Sequence, residues 1–221
     1  MAPQATRLQL HLHKARKNRP GFSLIELLAV ILVISILSTL IIVGVTNVRT
    51  KAHSMQCIAN LRQISFDFDM YAQENNGKLI PRTADFPAGI SSWLDEVSMS
   101  VYGSLAKRPY HGCDETRSYL ELRDIDRTYS YNESAMRHTP GLTRDQLINP
   151  GNTMAVADGV IKNGRYNYIC LQISQLPYPI HADKANILFY DGHVEARPLD
   201  EIPTEAGPRG TPSWDFWYGV P

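Results

Sequence analysis

Arg19-Pro20-Gly21-Phe22-Ser23-Leu24-Ile25-Glu26-Leu27-Leu28 opens a stretch that stays apolar to Val45, broken only by Ser35, Ser38, Thr39 and Gly44. At 1.5 Å per residue a helix over 22–45 spans roughly 36 Å, enough to cross a bilayer with some tilt. The run is longer than the roughly 7–15 residues of a secretory h-region, and no A-x-A site follows it. Residues 1–21 carry Arg7, Lys14, Arg16, Lys17 and Arg19 and no acid. Basic residues before an apolar span keep the N-terminus cytoplasmic and send the C-terminal part across the membrane. One residue does not fit a plain anchor. Glu26 lies near the start of the span with Leu and Ile around it, where a carboxylate is costly and expects a partner.

The charge balance excludes other classes. The chain has 221 residues, 22 Lys plus Arg and 22 Asp plus Glu, so it is neutral overall and no nucleic-acid partner is expected. No G-x-S-x-G, Walker loop or G-x-G-x-x-G is present, and no catalytic set stands out, so the chain reads as non-enzymatic.

The junction Gly21-Phe22 with Glu26 five residues into the new chain resembles the type IV prepilin cleavage and methylation signal. The resemblance implies that a membrane peptidase cuts after Gly21 and that Phe22 is then N-methylated. It also implies that Glu26 is the assembly residue. Physically, cutting before Phe22 creates an amine at a helix N-terminus, in the membrane layer that holds Glu26. A neighbouring subunit's amine would be the partner that the carboxylate lacks.

The helical pattern continues past the span. Ile58, Leu61, Ile64, Phe68 and Tyr71 form an apolar stripe, with Gln56, Asn60, Gln63, Asp67 and Glu74 on the other face. Asn75-Asn76-Gly77, followed by Pro81, marks the end. This gives four segments: a basic leader (1–21), a transmembrane and assembly helix (22–45), an amphipathic stalk helix (46–76) and an exported β-rich head (77–221). The expected fold is α+β and pilin-like, a long helix packed on a small antiparallel sheet.

The head has strand candidates at 153–157 and 166–173, and a hairpin at 185–197. Asp191-Gly192 reads as a two-residue turn with both residues at positive φ, which pairs Phe189 with Val194 and Ile187 with Ala196. Cys57-Ile58-Ala59-Asn60-Leu61-Arg62-Gln63-Ile64, together with His181, nine residues and then Asp191-Gly192, resembles a pseudopilin branch with an H-X9-DG motif. Tyr129-Ser130-Tyr131-Asn132 and the stretch from Pro150 to Asp158-Gly159 match its intermediate landmarks more loosely. Asp191 and Gly192 read as turn formers, and His181 as a hydrogen-bonding partner of that turn or, as the alternative, a residue that helps hold a cation. Resemblance to major type II secretion pseudopilins implies a calcium loop; the candidate oxygen donors are Asp158, Asp183 and Asp191, without a compact Asp-rich loop to hold them. Otherwise no cofactor is expected.

Several features stay open on sequence alone. His111-Gly112-Cys113-Asp114 has metal-like spacing but no second pair nearby. Cys113 and Cys170 are a candidate disulfide, with Cys57 left over. Asn132-Glu133-Ser134 matches a glycosylation sequon. Residues 84–128 show no recognised pattern, and the tail 213–218 is aromatic with no evident role. The expected protein is a filament subunit, most closely a major G-like pseudopilin of type II secretion. The alternatives are a type IV pilin or other surface filament subunit, and a membrane-tethered periplasmic binding module. Expected partners are a prepilin peptidase and methyltransferase, identical and related pseudopilins, an inner-membrane assembly platform and the lipid bilayer. The expected location is the bacterial inner membrane, single-pass, with the head periplasmic or extracellular.

Overall fold

The computed structural model describes residues 21–90, 92–105, 112, 113, 115, 128–162, 165–167, 169, 170 and 176–221. The leader read over 1–21 falls outside this set except for Gly21. The chain divides into two compact units, Met1–Val45 and Thr46–Pro221.

Helix α1 runs over Leu24–Glu74. Its N-terminus has a local cap: Ser23 contributes its carbonyl to Leu27 N, and Glu26 Oε2 accepts the Ser23 N–H at 2.9 Å. Ser-x-x-Glu at a helix start is the arrangement in which the glutamate reaches back to the first residue's amide. Leu24–Ile41 is long and apolar enough to cross a membrane, and its side chains are exposed all round. Inside this stretch the hydroxyls of Ser35 and Thr39 donate to the carbonyls of Ile31 and Ser35 at 2.7 and 2.9 Å. Both polar groups are thus satisfied within the helix, as an apolar solvent requires.

The second unit begins on the same helix. There the buried residues are Cys57, Leu61, Ile64, Phe68 and Tyr71. The stripe therefore starts on Cys57 rather than Ile58, which is only partly buried. Asn60 and Asp67, assigned to the solvent face, are also buried. Asn60 donates to Tyr129 Oη at 3.1 Å, and Asp67 Oδ1 accepts from Tyr102 Oη at 2.6 Å and Gln63 Nε2 at 3.2 Å. The cover over Asp67 comes from α2 (Trp93–Tyr102), within the stretch that showed no pattern. Ser92 caps its start by accepting from Asp95 N, and Gly103 at φ 62 ends it. The end of α1 turns on Asn76 at φ 58, with Gly77 N donating back to Ala72 O at 2.7 Å. That six-to-one bond is the Schellman closure expected of the Asn-Asn-Gly signal.

Strands β1 (Tyr129–Asn132), β2 (Met154–Asp158), β6 (Lys184–Phe189) and β7 (Val194–Pro198) lie side by side, each antiparallel to its neighbour. The two-residue β5 (Ile169–Cys170) joins the free edge of β1 in parallel, so the sheet order is β5-β1-β2-β6-β7. A separate hairpin pairs β3 (Val160–Lys162) with β4 (Arg165–Asn167). The single strand expected over 166–173 is thus split between β4 and β5; 168 and 171–173 lie outside the described residues. The fold is α+β and consistent with a pilin-like architecture.

Alternation along Tyr129-Ser130-Tyr131-Asn132 sorts the two faces of the sheet. Tyr129 and Tyr131 point to α1, where Tyr131 meets Phe68 edge-on at 5.8 Å and Trp93 of α2 at 5.9 Å. Asn132 points the other way and donates to Met154 O and Trp217 O, both at 2.9 Å. Its full burial removes it as a glycosylation acceptor in the folded head. A short helix, α3 (Ser134–His138), follows, and Asn132 Oδ1 accepts the Ser134 N–H that opens it. The aromatic tail packs on this same side. Helix α4 (Pro212–Trp217) starts on Thr211 as cap with Pro212 in the first turn. It buries Phe216 and Trp217, with Phe216 edge-on to Phe189 at 6.2 Å. Both faces of β1 and β2 are therefore covered, and every residue of these strands is buried.

The β6–β7 hairpin corrects the expected register by one residue. Leu188 pairs with Val194 and Ile187 with Glu195. Phe189 N donates to His193 O and Gly192 N to Phe189 O, both at 3.0 Å, so the loop is Tyr190-Asp191-Gly192. Only Gly192, at φ 95, is left-handed. This is a turn closed by a left-handed glycine, the usual three-residue hairpin, and it leaves Asp191 in an ordinary conformation. The shift places Tyr190 in the core and stacks His193 on Phe189 at 4.4 Å.

Candidate functional site

The N-terminal site is a linear one. Gly21, Phe22 and Glu26 are all exposed, and Phe22 lies just ahead of α1. Glu26 occupies the first turn, where the helix's unpaired amides favour a negative charge. One of its oxygens takes the Ser23 N–H, yet a carboxylate accepts several donors, so room for an incoming amine remains.

In the head, the sequence-derived motif residues separate. Asp191 serves the turn: its Oδ1 accepts His193 N at 3.1 Å and lies 2.6 Å from His193 Nδ1. Partial burial raises the Asp191 carboxyl, and the His193 contacts more than offset this and hold it below the ordinary value. Gly192 supplies the positive φ, and a side chain there would meet Ser65 Oγ of α1 at 3.0 Å. Asp183 is exposed, at φ 63 in the turn before β6. The stretch Ala182-Asp183 lets His181 and Lys184 exchange backbone bonds, and this sends the His181 side chain inward.

His181 does not reach the Asp191-Gly192 turn, which overturns the first of its two sequence readings. Its Nε2 lies 3.2 Å from Asp158 Oδ2 and 3.3 Å from Cys113 Sγ. Asp158 ends β2, and its Oδ2 also accepts the Asn186 N–H at 2.8 Å. Cys113 is fixed by a bond from its amide to Thr128 Oγ1. Cys57 approaches from α1. One donor atom from each of Cys57, Cys113, Asp158 and His181 lies within 4.8 Å of the others, and all four residues are buried. On the outer side of the imidazole, Nδ1 stands 3.7 Å from Glu115 Oε2.

Electrostatics in this cluster follow from burial. The hydrogen bond with Cys113, and then burial, push the Cys57 thiol far above its ordinary value. Burial pushes Asp158 up to about 6 despite its bond to His181. Burial lowers His181, but the hydrogen bonds to Asp158 and Cys113 outweigh it and raise the imidazole.

The calcium expectation does not fit this arrangement. Calcium takes six to eight oxygens. Asp158 is buried among thiols and an imidazole, while Asp183 and Asp191 stand elsewhere and do not enter the group. Cys57 and Cys113 carry thiols. The side chain of Cys170, the expected disulfide partner of Cys113, lies outside the described residues, as do His111 and Asp114. Sequence reading treated Cys57 as a leftover. The signal that marks it is the spacing Cys57, Leu61, Ile64, Phe68, Tyr71, which keeps steps of four and three without a break.

Residues 16–42 match the family model described as a prokaryotic N-terminal methylation motif. The matched segment contains Gly21, Phe22, Glu26 and most of the apolar span. Comparison with curated proteins and with solved structures gave no match.

Proposed function

We propose that this chain, a type IV prepilin-like protein, is a non-catalytic filament subunit of the pseudopilin kind, most closely the major subunit of a type II protein secretion system. The observation that carries the reading is the position of Glu26. It stands in the first turn of an apolar helix whose start matches the methylation motif. A tether for a soluble head needs only the apolar span. A carboxylate there serves assembly: the amine of a processed neighbour docks on it while the apolar helices pack. The motif implies processing by a prepilin peptidase and assembly into pilus-like filaments. The apolar helix implies membrane anchoring, with the head on the far side of the inner membrane. The secretion assignment draws its support from the head landmarks Tyr129–Asn132, His181 and Asp191-Gly192, which resemble the H-X9-DG branch. A surface pilus subunit shares the N-terminal signals.

The test uses two substitutions. Glu26→Gln retains an oxygen for the Ser23 amide and removes the charge; Glu26→Leu removes both. Both variants keep Gly21-Phe22 and should insert and lose the leader normally. Both should lose at least ten-fold in stalk-cysteine crosslinking between subunits, normalised to processed protein in the membrane. If only Glu26→Leu loses crosslinking, the residue acts as a helix cap and the charge-pairing account is wrong. If neither does, the membrane-tethered binding module becomes the better reading.

A further inference from the structure

The Cys57–Cys113–Asp158–His181 group is a second site, independent of the N-terminal motif. Its donors come from four separate places: the middle of α1, the segment before β1, the end of β2 and the turn before β6. Chain neighbours do not force them together. Two observations set them apart from ordinary core polar residues. Asp158 Oδ1 is buried with no hydrogen-bond partner, although a carboxylate oxygen is a strong acceptor. Leaving such an atom unmatched in a closed interior is costly. The donor types are also wrong for a simple hydrogen-bond network, because thiols are weak donors and weak acceptors.

We propose that Cys57, Cys113, Asp158 and His181 form a structural site for a four-coordinate divalent ion of the zinc type, which ties α1 to the sheet of the head. Two sulfurs, one imidazole nitrogen and one carboxylate oxygen are ligands that zinc accepts together in a closed tetrahedron. Bonds of about 2.0–2.3 Å give such a tetrahedron edges of about 3.3–3.8 Å. The observed 3.2 Å from Nε2 to Asp158 Oδ2 and 3.3 Å from Nε2 to Cys113 Sγ are close to those edges. All four positions are protein side chains and all are buried, so the ion holds structure and has no open position for a substrate. His181 binds through Nε2, which faces the group. Its Nδ1 faces Glu115, and a shift of less than 1 Å from the present 3.7 Å would let Nδ1–H donate to that carboxylate. A carboxylate behind a metal-bound imidazole fixes its tautomer and orientation. Asn186 N plays the corresponding part for Asp158 at 2.8 Å.

The competing chemistry is oxidation, since the two thiols could instead become a Cys57–Cys113 disulfide in an oxidising compartment. The experiment separates the two. The full chain is purified in detergent from membranes and its metal content is measured. The metal-free, reduced chain is then titrated with Zn²⁺ and, separately, with Co²⁺. The proposal expects one Zn²⁺ per chain and a thiolate-to-cobalt absorption band. It expects Cys57 and Cys113 to resist alkylation until a chelator is added. Cys57→Ser and Cys113→Ser should each abolish the cobalt band. Because those variants could fail to fold, Glu115→Gln provides the independent check: it leaves every ligand in place and should weaken Zn²⁺ binding about ten-fold or more. Peptide mapping that finds a Cys57–Cys113 disulfide in the membrane-derived protein would overturn the proposal. So would a reduced, folded chain that binds neither ion.

Discussion

The two parts of α1 obey opposite rules. Over Leu24–Ile41 the helix is apolar on every side and none of it is buried by the protein. Over 57–71 one face is buried in the core and the other is exposed. In the first part hydrophobicity answers to an external solvent, so the helix needs no register and tolerates exchange among aliphatic residues. In the second part each side chain answers to a particular neighbour, such as Phe68 to Trp93 and Tyr131 at 5.8 Å each. The same secondary structure is thus specified by composition in one place and by position in the other. Glu26 is the exception in the first part, and Asn60 and Asp67 are exceptions in the second. Asn60 and Asp67 each meet a tyrosine hydroxyl, and on the proposed function Glu26 meets the amine of a neighbouring subunit.

The largest expected contrast comes from the same truncation made in each part. Leu61→Ala opens a cavity in a fully buried site and should destabilise the head by about 2–5 kcal/mol. Leu32→Ala touches no core and should leave head stability within about 0.5 kcal/mol of wild type. Thermal and denaturant unfolding followed by the fluorescence of Trp93 and Trp217 measures both. Equal effects would mean that the two parts are not specified differently.

The β6–β7 turn gives a smaller and sharper test. Gly192→Val forces a β-branched residue to φ 95 and brings its Cβ to 3.0 Å from Ser65 Oγ, costing about 1–3 kcal/mol by the same assay. Asp191→Asn should be nearly silent, within about 0.5 kcal/mol. Asn keeps an oxygen for the His193 amide, and Asp191 does not sit at positive φ. A chelator-sensitive loss in Asp191→Asn would restore the calcium reading that the geometry argues against.

Much of this architecture was legible in the sequence, and the misreadings have physical causes. Signals carried by neighbouring residues read well: the apolar span, the stripe on Leu61, Ile64, Phe68 and Tyr71, the Asn-Asn-Gly end of α1 and the existence of the 185–197 hairpin. The hairpin register was off by one because Asp-Gly suits both a two-residue loop and a three-residue loop, and only tertiary packing of Tyr190 decides. Thr211-Pro212 is a local helix-start signal that went unread, and the aromatic residues after it gave no sign that they cover the second face of the sheet. Asp67 looked solvent-facing because α2, which covers it, carried no recognised pattern. The thiol cluster was illegible for a different reason. Its four donors are spread from position 57 to position 181, and no spacing rule joins residues that only the folded sheet and helix bring within 4.8 Å.

On the proposed function the mature chain begins at a methylated Phe22, just ahead of α1, with Glu26 placed to receive the amine of a neighbour. Mass spectrometry of the N-terminal peptide, taken from protein purified out of the native membrane, tests it most directly. The expected result is a chain that starts at N-methylated Phe22, and a Gly21→Val variant that retains the residues before it. A wild-type chain that keeps the basic leader, or one cut elsewhere with Phe22 internal, would contradict it.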